Sequence, residues 1–319
     1  MTSGNIRPRG SKQVVAALAA SVLALSASAL RANPVPWQMN MTRGVSTYSH
    51  VPYDLNTIVL IVCVVIGVVV FGAMFIAMFR FRKSRGAVAE KWTHNTTVEI
   101  IWTTIPVLIL IVLAWLSTDG MRQFYDTTGS QLTIKVTGYQ WKWRYDYVSY
   151  EGKPVPKVGF MSKLDDQSND TRQLGSGLDP YAVKTDGENT YLLNVDKPLV
   201  VPIHTKIRFL IASGDVIHSW FVPDLGWQMD AIPGMINAAW ANITRPGTYR
   251  GQCAYLCGQG HAFMPIVVKA VSQEDFAKWL AAQEQANAPA PAAPPPAAAA
   301  SAAAPVAAQA VAPTPTGHG

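Results

Sequence analysis

The sequence predicts a membrane-anchored all-β protein, in which two transmembrane helices precede an exported β-sandwich or β-barrel. Residues 55–79 carry no charge and residues 97–116 carry only Glu99, so each run of about 20–25 residues can cross a hydrocarbon core of about 30 Å. Beyond them, several short segments alternate apolar with polar residues and are separated by Gly and Pro. Composition fits this class, since 49% of the 319 residues are apolar and those residues are unevenly distributed.

Residues 1–32 are predicted to be a removable secretory signal. Lys12 precedes an apolar stretch that runs to Leu30, and small residues offer cleavage after Ala29 or after Ala32. The stretch is too poor in large apolar residues to be a good membrane span. The alternative is an uncleaved signal anchor.

The loop between the two spans predicts the orientation of the chain in the membrane. Its basic residues, opposed only by Glu90, are Arg80, Arg82, Lys83, Arg85 and Lys91. Loops this basic stay on the cytoplasmic side. We therefore expect a multi-pass protein of a bacterial inner membrane, with the N-terminus and the region after residue 117 on the periplasmic side.

The net charge of +6 follows from this orientation. Residues 1–130 hold 11 Lys and Arg against 5 Asp and Glu, whereas residues 131–285 hold 15 of each kind. The excess of positive charge therefore belongs to the membrane part of the chain, and it gives no support for a nucleic-acid partner.

The exported domain, 121–285, opens with a strong strand signal. Leu132, Ile134 and Val136 alternate with polar residues, and an alternating aromatic series then runs from Tyr139 to Tyr147. The phase slips by one residue at Gly138, which predicts a β-bulge there. Further strands are predicted at Tyr191–Val195, Leu199–Ile203, Lys206–Ala212, Ile217–Val222, Ala239–Ile243, Gly247–Gly251 and Ile266–Ala270.

Three other segments complete the predicted organisation. Residues 33–120 form the N-terminal segment and the transmembrane hairpin, and residues 152–190, rich in Asp, Ser, Gly and Asn, are predicted to be a surface insertion. Ser272 is expected to cap a short final helix. Residues 286–319 are almost wholly Ala and Pro and are predicted to be a disordered tail.

The stretch CAYLCGQGHAFM, residues 253–264, raises a question of chemistry. Cys253 and Cys257 could form a disulfide, a zinc site, a redox thiol pair or a copper site. His261 and Met264 follow within seven residues of the second cysteine, and His218 lies upstream in DVIHSW. Zinc has little use for a thioether, whereas copper that cycles between Cu(I) and Cu(II) favours thiolate and thioether beside imidazole. The set therefore favours copper, and two thiolates favour a pair of copper ions that shares one electron.

Several sequence blocks resemble one known family. VEIIWTTIP, GYQWKW, DVIHSWFVPDLGWQMDAIPG and CAYLCGQGHAFMPIVV occur in this order over about residues 45–285. They resemble subunit II of haem–copper cytochrome c oxidase, whose copper loop is typically Cys-x-Glu-x-Cys-x-x-x-His-x-x-Met. The resemblance implies a cupredoxin-like Greek-key β-barrel that holds a binuclear CuA centre with two copper ions.

Carried over residue by residue, the resemblance implies a complete ligand set. Cys253 and Cys257 bridge the two coppers, and His218 and His261 each bind one. The two weak ligands are Met264 and the backbone carbonyl of Tyr255.

The sequence departs from the family pattern at two positions. Position 255 is Tyr where the family usually has Glu, and in the family that carboxylate helps to bind magnesium at the interface with subunit I. A backbone carbonyl survives the change but the carboxylate does not, so at position 255 the resemblance supports the copper site and not the magnesium site. Met235 stands where an Arg is common, so contacts with subunit I or with water differ there.

The resemblance also implies roles outside the copper loop. Trp141 in GYQWKW matches the exposed Trp through which cytochrome c passes its electron, although strand aromatics more often pack in a core. Glu99 matches a carboxylate at the mouth of a proton-uptake channel, and the alternative is an interfacial anchor. Asp215 and Asp230 match an acidic docking surface for cytochrome c.

The function so implied is that of the subunit at which electrons enter a proton-translocating cytochrome c oxidase. The expected partners are subunit I and other oxidase subunits, cytochrome c as donor, and membrane lipid. This chain is not expected to reduce oxygen on its own, because its spans contain no set of histidines for haem. Rivals are a quinol oxidase subunit, which lacks the copper ligands, a copper chaperone or thiol reductase, and a copper-sequestering module.

Overall fold

The computed structural model describes residues 38–155, 158–185 and 187–287. The predicted signal, 1–32, and residues 288–319 of the predicted tail lie outside the described residues. The chain of described elements begins with two long helices, α1 (His50–Arg80) and α2 (Thr96–Tyr125). Both are long and apolar enough to cross a membrane, with mean hydropathies of 3.2 and 2.3 in their most apolar windows.

The two helices extend past the predicted spans, which form their apolar central parts. At the start of α2 the Asn95 side chain accepts a hydrogen bond from the backbone N–H of Val98, which satisfies one of the free donors of the first turn. Side chains of the spans are exposed within this chain, as expected for surfaces that face lipid or other subunits.

Two facing sheets form the β domain that follows the helices. The first has the strand order β11-β8-β1-β2-β3, with β4 also pairing with β2, and the second has the order β10-β9-β12-β13-β7. The strands of the first sheet are β1 (Leu132–Tyr139), β2 (Lys142–Tyr150), β3 (Lys153–Pro154), β4 (Gly159–Ser162), β8 (Lys206–Ser213) and β11 (Asn237–Asn242). Those of the second are β7 (Leu199–Pro202), β9 (His218–Val222), β10 (Trp227–Ala231), β12 (Gly247–Cys253) and β13 (Pro265–Val271).

The core of the domain lies between the sheets. Large side chains from both sheets are completely buried there, among them Trp143, Phe209 and Trp220. Helix α4 (Gln273–Ala286) closes one end, with Phe276 and Leu280 buried as the sequence predicts and Ser272 accepting the backbone N–H of Asp275. This arrangement confirms the cupredoxin-like, membrane-anchored β fold.

The predicted β-bulge at Gly138 is wrong. The aromatic series consists of two strands, β1 and β2, joined by a tight turn at Gln140 and Trp141, and the irregularity in their pairing lies between Thr133 and Ile134. The change of phase arises because the chain reverses at this turn, so that directly paired residues such as Gly138 and Trp143 share a face although one position is even and the other odd. A two-residue hairpin and a bulge produce a similar break in a pattern of period two.

Two further predictions differ from the structure. Tyr191–Val195 is a turn in which only Val195 makes an isolated bridge, to Leu164, so that this segment is not a strand. The segment 152–190 is only partly a surface insertion, because β4 within it pairs with β2 and Val158 is buried in the core. Its other elements are the short helix α3 (Asp166–Thr171) and the ribbon of β5 (Lys184–Thr185) and β6 (Glu188–Asn189).

Candidate metal centre

The loop between two antiparallel strands carries most of the candidate ligands. Cys253 is the last residue of β12, Met264 immediately precedes β13, and a short 3-10 turn at His261–Phe263 lies between them. His218 is the first residue of β9, and β9 pairs with β12 so that Trp220 lies opposite Cys253. The sheet therefore brings a histidine that is 35 residues away in sequence to the mouth of the loop.

The soft donor atoms converge on one point. The Sγ atoms of Cys253 and Cys257 lie 3.9 Å apart, and Met264 Sδ lies 3.5 Å from Cys257 Sγ. The backbone carbonyl oxygen of Tyr255 lies 3.3 Å from Cys253 Sγ. A sulfur separation of this size is far longer than a disulfide of about 2.05 Å.

One imidazole lies beside each thiol. His218 Nδ1 lies 4.0 Å from Cys253 Sγ, and His261 Nδ1 lies 3.6 Å from Cys257 Sγ. The donor atoms of His218, Cys253 and Cys257 all lie within 4.8 Å of one another. Since metal–thiolate bonds are about 2.3 Å long, a metal ion can contact both sulfurs from between them.

The centre is shielded from water except on one side. His218 is fully buried, both cysteines are at least 94% buried, and Met264 is 1% exposed. Trp143 seals the inner side, where its ring stands 5.8 Å from the His218 ring and its Nε1 donates to the Met264 carbonyl at 3.4 Å. His261 is only partly buried and lies on the accessible side.

Protonation differs between the two thiols of the metal-free chain. Burial, followed by the neighbouring Cys253, raises the pKa of Cys257 to about 12. Burial also opposes the ionisation of Cys253. Its hydrogen bonds, of which the one with His218 has the largest effect, nevertheless bring its pKa below the usual value. The pKa of His218 is raised, because its bonds with Cys253 and Asp215 outweigh the effect of burial. Metal binding must therefore displace protons from this cluster.

Trp141 lies directly against the loop. Its Nε1 donates to the Cys257 carbonyl at 3.2 Å, and the Gln140 side chain donates to the same oxygen at 3.0 Å. A Cβ at Gly260 would overlap the indole ring, so the ring packs on bare backbone. Trp141 is half-buried, with one face on the loop and an open edge beside it.

The other predicted residues fall in three places. Asp215 lies at the centre itself, where its Oδ1 is 2.9 Å from His218 Nε2, and Asp230 lies on β10, the neighbouring strand. Glu99 lies in the first turn of α2 and is not part of the metal cluster, and its Oε1 accepts the backbone N–H of Asn95 at 3.2 Å.

Sequence reasoning missed the residues that support the ligands. Gly138 is required because a Cβ there would stand 2.7 Å from His218 Cδ2. Gly138, Gly260 and the Gln140 side chain were all missed because none of them supplies a metal ligand. Only Asp215 carried a readable signal, a carboxylate three residues before a candidate ligand, which was interpreted as a docking charge instead.

Comparison with known proteins decides the family. Residues 132–271 match the family described as cytochrome C oxidase subunit II, periplasmic domain, and residues 34–119 match its transmembrane domain. The chain belongs to the cytochrome c oxidase subunit II family. Members of this family are subunits of the haem–copper oxidase complex, which confirms the resemblance drawn from the sequence.

Relatives cover most of the chain. A probable cytochrome c oxidase subunit 2 of Rickettsia prowazekii (strain Madrid E) is 36% identical over 263 residues, which span 82% of this chain and 78% of the relative. The mitochondrial subunit 2 of Glycine max is 35% identical over 78% of this chain and 59% of its own length. The crystal structure of the periplasmic domain of subunit II (CoxB) of Bradyrhizobium japonicum is 33% identical, covering 51% of this chain and 99% of that one with a TM-score of 0.42.

Proposed function

We propose that this subunit II chain accepts electrons one at a time from cytochrome c at a binuclear CuA centre and passes them to haem in subunit I. There oxygen would be reduced to water, coupled to proton pumping. The observation that carries the proposal is the convergence of two thiols, two imidazoles, a thioether and a carbonyl at one site, five of them from the loop 253–264 and one, the His218 imidazole, from β9. A Cys2His2 zinc site would leave the thioether and the carbonyl unexplained, and a disulfide would leave the thioether and both imidazoles unexplained.

The donor set fits a pair of copper ions. Cys253 and Cys257 would bridge the two ions, with His218 and His261 as one imidazole for each ion. Met264 and the carbonyl of Tyr255 would be the weak ligands, since each lies within 3.5 Å of a cysteine sulfur. When bound, the pair supplies a one-electron carrier in which the change of charge is shared by two metals.

The chain itself supplies a dry, fixed environment for this carrier. Buried thiols and a buried His218 exclude water from the site, so that little solvent needs to reorganise when charge changes. The ligand loop is anchored at both ends by the paired strands β12 and β13, and His218 by β9, which limits the movement of the ligands between redox states.

Trp141 is proposed as the residue through which electrons enter. Its hydrogen bond to the Cys257 carbonyl supplies a short connection to a bridging ligand, and its open edge is accessible to a protein donor. The contact with Gly260 supports this role further, because packing on bare backbone brings the ring as close to the loop as possible.

Glu99 is proposed to line the opening of a proton path, with a helix-capping role as the alternative. Its hydrogen bond to the Asn95 N–H favours capping, whereas its position at the end of a span favours a proton path. Glu99→Gln should slow proton uptake by the assembled oxidase several-fold while leaving copper content unchanged. Equal uptake by both forms, measured by pH-indicator kinetics, would leave only the capping role.

A magnesium ion does not fit the residues present at position 255. The Tyr255 side chain is 45% exposed and offers a neutral phenol where magnesium prefers carboxylate oxygen. We therefore propose that Tyr255 contributes only its backbone carbonyl, to copper.

The membrane part supports a proposed place in the cell. We propose that the chain lies in a bacterial inner membrane, with the β domain in the periplasm and the basic loop on the cytoplasmic side. The exposed apolar faces of α1 and α2 would contact lipid, subunit I and other oxidase subunits. We also propose three segments, namely the N-terminal part with the hairpin (33–120), the β domain (121–285) and the tail (286–319). The last boundary differs from the structure by one residue, because helix α4 includes Ala286.

Copper stoichiometry combined with low-temperature electron paramagnetic resonance tests the proposal on the purified, copper-loaded chain. Two coppers per chain with a seven-line hyperfine pattern would support a binuclear centre with one shared electron. One copper with a four-line pattern, or a disulfide without copper, would overturn it. Oxidation of cytochrome c by the assembled oxidase separates electron transfer from passive copper storage.

A further inference from the structure

The Asp215 carboxylate forms hydrogen bonds in two directions, to the His218 ring of the candidate metal centre and to the turn that carries Trp141. Its Oδ1 lies 2.9 Å from His218 Nε2, and its Oδ2 accepts the backbone N–H of Gln140 at 2.7 Å. The backbone N–H of Val216 also donates to Oδ1, at 2.6 Å, and the Ser213 hydroxyl lies 3.4 Å from the same atom. Both oxygens of this carboxylate are therefore engaged within the chain.

The bond to His218 determines which ring nitrogen faces the metal site. A carboxylate that accepts from Nε2 keeps the proton on that nitrogen, which leaves the lone pair of Nδ1 directed towards Cys253 Sγ. A negative partner on the far nitrogen also makes the imidazole a stronger donor to a metal. His261 differs, because no partner for its Nε2 occurs among the described residues.

The bond to Gln140 holds the turn that presents Trp141. Gln140 and Trp141 both donate from their side chains to the Cys257 carbonyl. Hydrogen bonds thus run from a histidine ligand through Asp215 and the 140–141 turn to a cysteine ligand. One carboxylate fixes the copper ligand and the proposed residue of electron input relative to each other.

We propose that Asp215 is a positioning residue of the copper centre, which orients His218 through Nε2 and anchors the Trp141 turn, and is not a free docking charge. The inference rests on the proposed function, because it assigns Asp215 a role towards copper. It revises the interpretation from the sequence, in which Asp215 and Asp230 belong to one acidic docking surface.

Asp215→Asn and Asp230→Asn form a matched pair of variants. Each removes one negative charge with little change of volume, and Asp230 lies opposite Ser219, beside His218, in the pairing of β9 with β10. The Asp230 carboxylate makes no hydrogen bond or ion pair with the described residues. Both variants are made in the full chain and assembled into the oxidase.

Two measurements on the copper-loaded protein separate positioning from docking. We expect Asp215→Asn to weaken copper retention about 10- to 100-fold against a chelator, as partners of metal ligands commonly do. Its hyperfine pattern and midpoint potential should shift, while Asp230→Asn leaves both unchanged. If Asp215→Asn instead keeps the wild-type retention, hyperfine pattern and potential and only raises the KM for cytochrome c at low salt, Asp215 is a docking charge and the proposal fails.

A measurement on the copper-free chain keeps the inference separate from the proposed function. With ¹⁵N-labelled histidine in the full chain, His218 should carry its proton on Nε2 in the wild type, and Asp215→Asn should change the ring ¹⁵N shifts. The same shifts in both proteins would overturn the orienting role. If the wild-type chain binds no copper at all, it is the proposed function that fails, while the tautomer result still tests the contact.

Discussion

The lack of a side chain at Gly260 allows Trp141 to lie against the copper loop. The backbone of Gly260 has a φ of −93°, a region that any L residue can adopt, so alanine would not strain the chain there. The three atoms nearest to a methyl group at this position all belong to the indole ring. This position therefore separates the packing of Trp141 from the binding of metal.

Gly260→Ala should displace the Trp141 ring and break its hydrogen bond to the Cys257 carbonyl. We expect electron input from cytochrome c to fall about tenfold or more, since a shift of about 1 Å in a reacting group can cost about 100-fold. Copper content and hyperfine pattern should stay as in wild type. Stopped-flow reduction of the centre measures the effect, with Ala262→Ser in the same turn as control. An unchanged rate would remove Trp141 from the path.

Met264→Leu tests the thioether without creating a cavity. Leucine has nearly the same volume, so the loss of stability should stay below about 1.5 kcal/mol. The absorption bands and hyperfine pattern of the copper centre should change, and oxidation of cytochrome c should slow. Met229→Leu, on β10 and outside the donor cluster, is the control. Identical spectra for Met264→Leu and wild type would show that Met264 is not a ligand.

The proposed ligands could be selected from the sequence, whereas the residues that hold them in place could not. A metal requires certain atom types at short spacing, and Cys253, Cys257, His261 and Met264 satisfy that requirement within one loop. Gly260 matters because the absence of a side chain leaves room for the Trp141 ring. Asp215 acts through hydrogen bonds, and one of its partners, Gln140, is 75 residues away in the sequence. Only the fold shows such contacts, because a sequence pattern records residue types and not their neighbours.

At the scale of the elements, apolar patterns of strand length predicted most of the strands, both those that alternate, such as β8, and those buried at nearly every position, such as β13. β8, β9, β12 and β13 are found close to their predicted bounds. β10 and β4 were missed because most of their positions are not buried, so that neither forms an apolar run, whereas β7 and β9 are no longer but are mostly buried and were predicted. Tyr191–Val195 shows the opposite error, since a largely apolar run of that length also occurs in a turn that is only partly buried.

The turn between β9 and β10 contains a buried acid, Asp224. Its residue is 3% exposed, its Oδ1 lies 3.3 Å from the Thr42 hydroxyl, and its Oδ2 has no partner among the described residues. Its backbone carbonyl accepts a hydrogen bond from the N–H of Val45, so the turn is hydrogen-bonded to the segment that precedes α1. Burial raises the pKa of Asp224 to about 6, despite the opposing bond from Thr42 and the nearby Arg245.

Asp224→Asn should stabilise the protein at neutral pH. A carboxyl whose pKa is higher in the folded chain than the usual 3.8 favours folding at low pH, and it loses that contribution as pH rises through about 6. The ionised group then costs up to about 3 kcal/mol at pH 7.5. The stabilisation by Asn should therefore be largest at pH 7.5 and about 1.4 kcal/mol smaller at pH 5. Denaturant unfolding of the full chain in detergent measures it, and a difference that does not vary with pH would contradict it.

At the scale of the whole molecule, a small set of contacts joins the helical hairpin to the β domain. Tyr48 donates from its hydroxyl to the Gly120 carbonyl at 3.2 Å, and Trp240 Nε1 donates to the Gln123 carbonyl at 2.9 Å. The Tyr48 ring lies 5.8 Å from that of Trp240 and 5.5 Å from that of Phe124. The sequence predicted both parts, but nothing in it indicated these contacts, which link positions up to 192 residues apart.

These contacts have a functional consequence if the centre passes electrons to haem in the membrane. Electron transfer requires a fixed distance between donor and acceptor, and the hairpin is the part of this chain that lies in the membrane. Trp240 belongs to β11 of the first sheet, and Lys206 of the neighbouring β8 lies 4.5 Å from its ring centre. Trp240 therefore connects the sheet to the end of α2.

Trp240→Ala should loosen this connection while leaving the copper ligands untouched. We expect a loss of about 1–3 kcal/mol in stability from the buried part of the ring, and slower transfer from copper to the partner haem in the assembled oxidase. Reduction of copper by cytochrome c should proceed at the wild-type rate, because Trp141 and the ligand loop are unaffected. Time-resolved absorption at the copper and haem bands distinguishes the two steps. Trp279→Ala is the control, since Trp279 packs against Tyr147 and Phe276 away from the hairpin. If both variants slow the haem step equally, general loss of stability explains the effect, and the link between hairpin and domain does not set the rate.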